Sequence, residues 1–152
     1  VHALELDLEA CTTCHEGATP QDYRVVDEGE TPVDYDGDGN VEEGIAGEIS
    51  TMSEVLYASL QTYAANQGAP IVYNGARYPY FFGDTDGNGE VNGEEAAYAA
   101  WTPALLRAAY NYKYVAADPG NFAHNSTYAL QILYDSIQAI SGGSGVAGMT
   151  RP

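Results

Sequence analysis

The sequence predicts a mainly α-helical domain carrying two EF-hand-like calcium loops and one short β-hairpin. Three observations carry that expectation. Apolar residues recur at threes and fours along Ile45 to Asn66 and again along Ser126 to Ile140, the period of a helix with one buried face. Two Asp/Gly-rich stretches, Asp34 to Ile45 and Asp84 to Glu95, follow the spacing of an oxygen-donor calcium loop. Between two short β-prone runs stands Asn74-Gly75, the signal of a type I′ hairpin turn.

The 152 residues, 45% hydrophobic and 18% charged, suit one domain with a real core rather than disorder. Residues 1–140 are expected to form that single cofactor-binding unit. Within it, 1–33 are the attachment segment and 34–140 a helical, calcium-stabilised body. Val1 to Gly29 shows no clear period and reads as loop with at most one short helix. In the helix Ile45 to Asn66 the inward stripe is Ile45, Ile49, Met52, Leu56, Leu60 and Tyr63, and Gly68 and Pro70 end it. Ile71-Val72-Tyr73 should pair with Ala76-Arg77-Tyr78. After the second acidic loop a helix is expected from near Glu94. Thr102 then caps a new helix at Pro103, with Leu105, Leu106, Ala109 and Tyr110 on one face. Asp118-Pro119-Gly120 is a turn, and the last helix turns Leu130, Leu133, Ile137 and Ile140 inward. The Gly-rich tail 141–152 should be mobile if left alone. Order in it would imply docking on another subunit, as in a homo-oligomer or filament.

Charge narrows the partners. Twenty-two Asp and Glu against five Lys and Arg give a formal net charge of −17, a field that repels nucleic acid and anionic membrane surfaces. No apolar run approaches the roughly 20 residues of a spanning helix, so membrane insertion is not expected. Val1 to Leu8 lack the plan of a signal peptide. The chain reads as a secreted product, extracellular or periplasmic, whose signal peptide is already removed. The plainer account of the acid is a solvated surface that keeps such a protein soluble. Thirteen Tyr against three Phe favour half-buried aromatic surfaces.

Cys11-Thr12-Thr13-Cys14-His15 is the attachment pattern of a covalently bound c-type haem. Two thiols at this spacing add to the two vinyl groups, and His15 reaches the iron as proximal ligand. A zinc site would have only His2 and His124 to complete four ligands. A thioredoxin-like pair would sit in a βαβ pattern that the sequence lacks, and a disulfide over so short a loop adds little. One covalent haem c is therefore the expectation. An electron carrier needs a sixth ligand, usually His or Met. His124, beside Phe122 and just before the last helix, is the first candidate, although a lone His there is otherwise a cap or surface residue. His2 is the alternative, folding back or reaching a neighbouring subunit's haem. Met52 falls on the apolar stripe and reads as core; Met149 is the fourth candidate. Two His ligands and surrounding acid both lower the expected potential.

The second acidic loop fits the twelve-residue calcium pattern throughout, with oxygens from Asp84, Asp86, Asn88, the Glu90 carbonyl and Glu95, Gly89 at the sharp turn and Val91 pointing inward. The first loop supplies Asp34, Asp36, Asp38 and Asn40, but its twelfth position is Ile45, which cannot ligate. Glu43, with Glu48 as the alternative, is expected to close it. One or two Ca2+ would then pin helices in place rather than act as sensors.

From about Asp34 to Ile140 the chain resembles a domain that recurs in secreted bacterial c-type cytochromes, often multihaem ones. The resemblance lies in Asp36-Gly37-Asp38-Gly39, in Tyr78-Pro79-Tyr80-Phe81-Phe82, in Trp101 to Tyr112 (Trp-Thr-Pro-Ala-Leu-Leu-Arg-Ala-Ala-Tyr-Asn-Tyr) and in Asp118 to Asn125 (Asp-Pro-Gly-Asn-Phe-Ala-His-Asn). It implies a small helical c-type cytochrome domain, extracytoplasmic electron transfer and a functional role for His124. Only one haem motif is present, which departs from the multihaem pattern. The expected function is electron transfer through a single bis-His haem, by an electron carrier rather than an enzyme, with redox proteins or other haem subunits as partners. Two other classes compete: a calcium-dependent, dockerin-like interaction module, and a haem enzyme such as a peroxidase with an open iron position. Asn125-Ser126-Thr127 also matches the glycosylation sequon, a short and weak pattern.

Overall fold

The computed structural model describes residues 19–22, 24, 31–93 and 95–152. Among them are four α-helices, α1 (Ile45–Asn66), α2 (Pro103–Ala116), α3 (Asn121–His124) and α4 (Ser126–Ser141), and two strands, β1 (Ile71–Tyr73) and β2 (Phe81–Gly83). Single 3-10 turns lie at Pro20–Asp22 and Ser144–Val146. The mainly helical class expected from periodicity is the class observed.

The core is the meeting of α1, α2 and α4, each packed on the other two. Helix α1 contributes Ile49, Met52, Leu56, Leu60 and Ala64, and α4 contributes Leu130, Leu133, Ile137 and Ile140, all buried. The sequence places the middle of both stripes because each repeats at three and four over about three turns or more, while Ile45 and Tyr63, at the ends of the α1 stripe, are half-buried. Met52 is fully buried in this core, so it is a packing residue. Helix α2 starts as expected, with Pro103 in its first turn and the Thr102 hydroxyl accepting the Leu105 N–H at 3.2 Å. Its buried face differs. Leu105, Ala108, Ala109 and Val115 face inward, whereas Leu106 and Tyr110 are exposed. The side of α2 that carries small alanines approaches its neighbours closely, and the bulkier residues one position away are left outside. At α4, the Asn125 side chain caps the Tyr128 N–H, so the sequon asparagine serves as a helix cap.

The hairpin forms, but with a longer loop. Strand β1 pairs antiparallel with Phe81–Gly83, matching Tyr73 to Phe81, not with Ala76-Arg77-Tyr78. Asn74 still turns the chain, its side chain accepting the Ala76 N–H at 2.9 Å. Pro79 has no N–H to offer a ladder, and Phe81 and Phe82 are the residues whose burial the sheet secures, while Ala76, Arg77 and Tyr78 remain exposed. The helix expected from near Glu94, a residue outside those described, is absent from residues 95–102. That segment runs beside β2 instead, the Gly83 N–H donating to Ala96 O and the Tyr98 N–H to Phe81 O, both at 3.0 Å. Around the hairpin the tyrosines form a ring cluster. Tyr57 and Tyr112 stack at 5.3 Å, Tyr73 meets Tyr112 and Phe81 at 5.0 Å, and Tyr98 meets Trp101 at 4.8 Å.

The tail is tied to its own chain. Val146 is buried in the core and Met149 packs against it. The Thr150 N–H donates to Tyr35 O at 3.1 Å, and Arg151 forms a fork with both carboxylate oxygens of Asp135. Order in residues 141–152 thus needs no second subunit: one apolar anchor and one ion pair offset the flexibility of the glycines.

Two outcomes test this packing. Leu133→Ala should cost about 2–5 kcal/mol of unfolding free energy, whereas Leu106→Ala should stay within about 0.5 kcal/mol, as read from urea unfolding. Burial, with the neighbouring Tyr73 and Tyr57, pushes the Tyr112 phenol up to about 12, against about 10 in an unfolded chain. Because the folded state holds this proton longer, the contribution is complete below pH 10 and is lost as pH rises from 10 to 12. Urea midpoints should fall over that window, and Tyr112→Phe should flatten the fall.

Candidate functional site

Cys11, Cys14 and His15, and also His2, lie outside the described residues. Pro20, five residues beyond His15, lines a cleft of about 470 Å³ together with Tyr35, Ile45, Phe122, Ala123, Ser126, Thr127 and Leu130. A cleft of this size falls in the cofactor range of roughly 300–1,000 Å³. Its walls therefore come from the turn at Pro20, the first acidic loop at Tyr35, the start of α1, the body of α3 and the start of α4. The aromatic neighbour singled out beside His124, Phe122, is one of them.

His124 ends the short helix α3 and is exposed, its side chain 69% accessible. Its Nδ1 lies 2.9 Å from Asp118 Oδ2, while Asp118 Oδ1 accepts the Gly120 N–H at 3.0 Å. The hydrogen bond to His124 is the main reason the Asp118 carboxyl titrates below its ordinary range. A carboxylate at Nδ1 fixes the orientation of the ring, as it does in many metal-ligating histidines, and the edge bearing Nε2 lies against Gly120, where a Cβ would be 3.3 Å away. Sequence reasoning named His124 but not Asp118; the Asp-Pro-Gly turn six residues earlier was the available signal.

The first acidic loop is the most crowded place in the described chain. Ligand oxygens of Asp36, Asp38 and Glu43 lie within 4.8 Å of one another, as do those of Asp34, Asp36 and Glu48. Backbone amides fold the loop around these side chains: Gly37 and Gly39 donate to the two oxygens of Asp34 at 2.6 and 2.9 Å, and Asp38 donates to Asp36 Oδ1 at 3.0 Å. Asn40 Oδ1 accepts the Glu42 N–H at 3.2 Å. Asp36 Oδ2 and Glu43 Oε1 are buried with no hydrogen-bond partner. Burial, then the charges of Asp36 and Asp38, push the Glu43 carboxyl above its ordinary range.

Glu48 has another role. It is fully buried in the first turn of α1, its Oε2 accepting the N–H groups of Tyr35 and Asp36 at 2.9 and 2.8 Å. Its Oε1 is paired with Arg24, whose Nε also donates to Glu43 O at 2.8 Å. Arg24 had no place in the sequence reading, because nothing local marks an arginine 24 positions from its partner.

In the second loop, Glu95 is buried and accepts the Asn92 N–H at 2.7 Å. Asp86 Oδ2 takes the side-chain amides of Asn88 and Asn92, and Asp84 Oδ1 is buried without a partner. Glu90 is exposed and Val91 half-buried rather than core. Among the described residues this loop brings no three His, Cys, Asp or Glu ligand atoms within 4.8 Å of one another. In the first loop, three carboxylates do meet. The donor chemistry of both loops, hard oxygens with buried oxygens lacking donors, fits calcium.

In sequence the chain is similar to c-type polyheme cytochromes. It is 30% identical over 147 residues to the C-type polyheme cytochrome OmcC of Geobacter sulfurreducens, a match covering 88% of this chain and 16% of the relative. It is 31% identical, with the same coverage, to the C-type polyheme cytochrome OmcB of that organism. The chain thus spans 16% of the length of these curated relatives. No family model matches it, and no solved structure matches it. No helix among the described residues is long and apolar enough to cross a membrane.

The buried pair gives a direct expectation. Arg24→Ala leaves the Glu48 carboxylate uncompensated, which should cost about 3–5 kcal/mol. Urea unfolding measures that loss, and a change under about 1 kcal/mol would show the pair to be incidental.

Proposed function

We propose that the chain is a single-haem module of an extracytoplasmic c-type cytochrome, an electron carrier whose iron is held between two histidines. The observation that carries this reading is the cleft whose wall joins Pro20, downstream of Cys11-x-x-Cys14-His15, to Phe122 and Ala123, the two residues before His124 in sequence; His124 itself lines a separate small cavity with Asp118 and Tyr128. The similarity to proteins named polyheme cytochromes supports it. Cys11 and Cys14 attach haem c, His15 is the proximal ligand, and His124, aimed by Asp118, is the distal one, with His2 as the alternative. Bound haem supplies an iron centre that accepts and releases one electron. Phe122, Tyr35 and Leu130, which line the cleft, would shield haem bound there from water, and the −17 charge of the chain would favour the ferric state.

Electrons leave for redox proteins or for other haem subunits. A module of this size conducts over distance only with a neighbouring haem, whether in an adjoining module of a longer chain or in copies assembled as a filament. The tail gives the filament no support, since it packs on its own chain. Calcium at Asp84, Asp86, Asn88, Glu90 and Glu95, and at the first loop, braces the body extracellularly or in the periplasm.

Spectra of the purified protein test the reading. Low-spin six-coordinate haem is expected, and His124→Ala should convert it to a high-spin or weakly ligated form that added imidazole restores. High-spin haem in the native protein would favour a peroxidase-like enzyme. A colourless protein of bare polypeptide mass would leave a calcium-dependent interaction module.

A further inference from the structure

We propose that the first acidic loop is a calcium site whose carboxylate ligands are Asp36, Asp38 and Glu43, with Glu48 kept out of the coordination sphere as a structural latch. This deepens the calcium reading of that loop and rests on it there alone.

Geometry selects the trio. Calcium sits 2.3–2.6 Å from its oxygen ligands, so one ion can bridge oxygens lying within 4.8 Å of each other, as those of Asp36, Asp38 and Glu43 do. Asp36 is 6% exposed, and its Oδ2, like Glu43 Oε1, is buried without a hydrogen-bond donor. Orphaned carboxylate oxygens are costly in a protein interior, and a cation is the partner that satisfies several at once. The amides of the loop are already committed elsewhere, to Asp34 and to one oxygen each of Asp36 and Asp38.

Glu48 also comes within 4.8 Å of Asp34 and Asp36, but it is spoken for. The Arg24 guanidinium holds Oε1 and two backbone amides hold Oε2. A dication there would face a fixed positive charge that already neutralises the carboxylate. Glu43 can reach the loop because Gly47 has no side chain: a Cβ on Gly47 would lie 2.2 Å from Glu43 Oε2. The closing carboxylate therefore arrives two positions before Ile45, and the sequence departs from the twelve-residue pattern without losing its last acidic ligand.

Calcium titration of the purified full chain after chelator treatment, followed by 15N–1H NMR, separates the loops. The Gly39 amide bonds Asp34 Oδ2 at 2.9 Å and the Gly89 amide bonds Asp84 Oδ2 at 3.2 Å, so each reports its own loop. Glu43→Gln should raise the calcium midpoint read at Gly39 by at least about tenfold and leave that at Gly89 unchanged. Gly47→Ala, which displaces Glu43 but spares the bonds of Glu48, should do the same. Glu48→Gln, where it folds, should lower stability while keeping the Gly39 midpoint within about threefold. A native Gly39 resonance that ignores calcium sinks the calcium reading of this loop. A responsive Gly39 with unaltered affinity in both Glu43→Gln and Gly47→Ala overturns the assignment of Glu43 alone.

Discussion

The described fold turns on a carboxylate that has no access to water. Glu48, in the first turn of α1, is fully buried and is compensated by Arg24 and by the amides of Tyr35 and Asp36. An anion at that position also faces the positive end of the helix dipole. Each compensation fixes a different piece of chain. The amides fix where the first acidic loop begins, and Arg24 ties its own position to α1 and to the end of that loop at Glu43. Tyr35, held by that bond, in turn receives the Thr150 N–H of the tail. Four segments distant in sequence are thereby referred to one side chain, and three of the cleft-lining residues, Pro20, Tyr35 and Ile45, belong to segments so fixed.

The acidity of the chain gives that arrangement its meaning. Five Lys and Arg are set against 22 Asp and Glu, yet one arginine is withdrawn almost wholly from solvent, its side chain 7% exposed. Elsewhere the loops manage their charge with backbone amides, through turns in which Asp34, Asp36, Asp38 and Asn88 accept N–H groups a few residues on. Such turns position carboxylates without neutralising them. The two loops share this frame but differ in where the carboxylates point: the first converges three of them, and the second directs Asp86 toward the amides of Asn88 and Asn92. Matching a loop pattern in sequence fixes the turns; convergence depends on what packs above the loop.

That distinction explains what the sequence reveals. The stripes of α1 and α4 are legible because a helix buried over several turns repeats its apolar residues in register, and Thr102-Pro103 is legible because capping is local. Helix α2 is shorter, and its alanines, which carry little hydrophobic signal, form the close-packed face, so Leu106 and Tyr110 seem inward when they are not. The partner of β1 shifts to Phe81–Gly83 because burial of two phenylalanines outweighs the preference of Asn74-Gly75 for a two-residue loop. Glycine content makes the tail look free, yet Val146 and Arg151 anchor it. In sequence Glu48 reads as the alternative to Glu43 for closing the first loop. Its actual use depends on Arg24, a contact across 24 positions that no local pattern encodes.

His124 illustrates the same logic at the site. Its identity as a candidate came from counting ligands, but what suits it to that role is the Asp118-Pro119-Gly120 turn, which holds Asp118 through the Gly120 amide and hands its other oxygen to Nδ1. Both groups are exposed, so the bond contributes little to stability and its consequence is orientation. An exposed histidine held in this way is oriented by its hydrogen bond rather than by packing. The cleft at Pro20 takes Phe122 and Ala123 from the same short helix, whereas His124 lines a separate small cavity with Asp118 and Tyr128. The described body therefore holds an oriented imidazole and, apart from it, a cleft with largely apolar walls. The first acidic loop bears on that cleft only indirectly, through Tyr35, whose amide is held by Glu48 and which forms part of the wall.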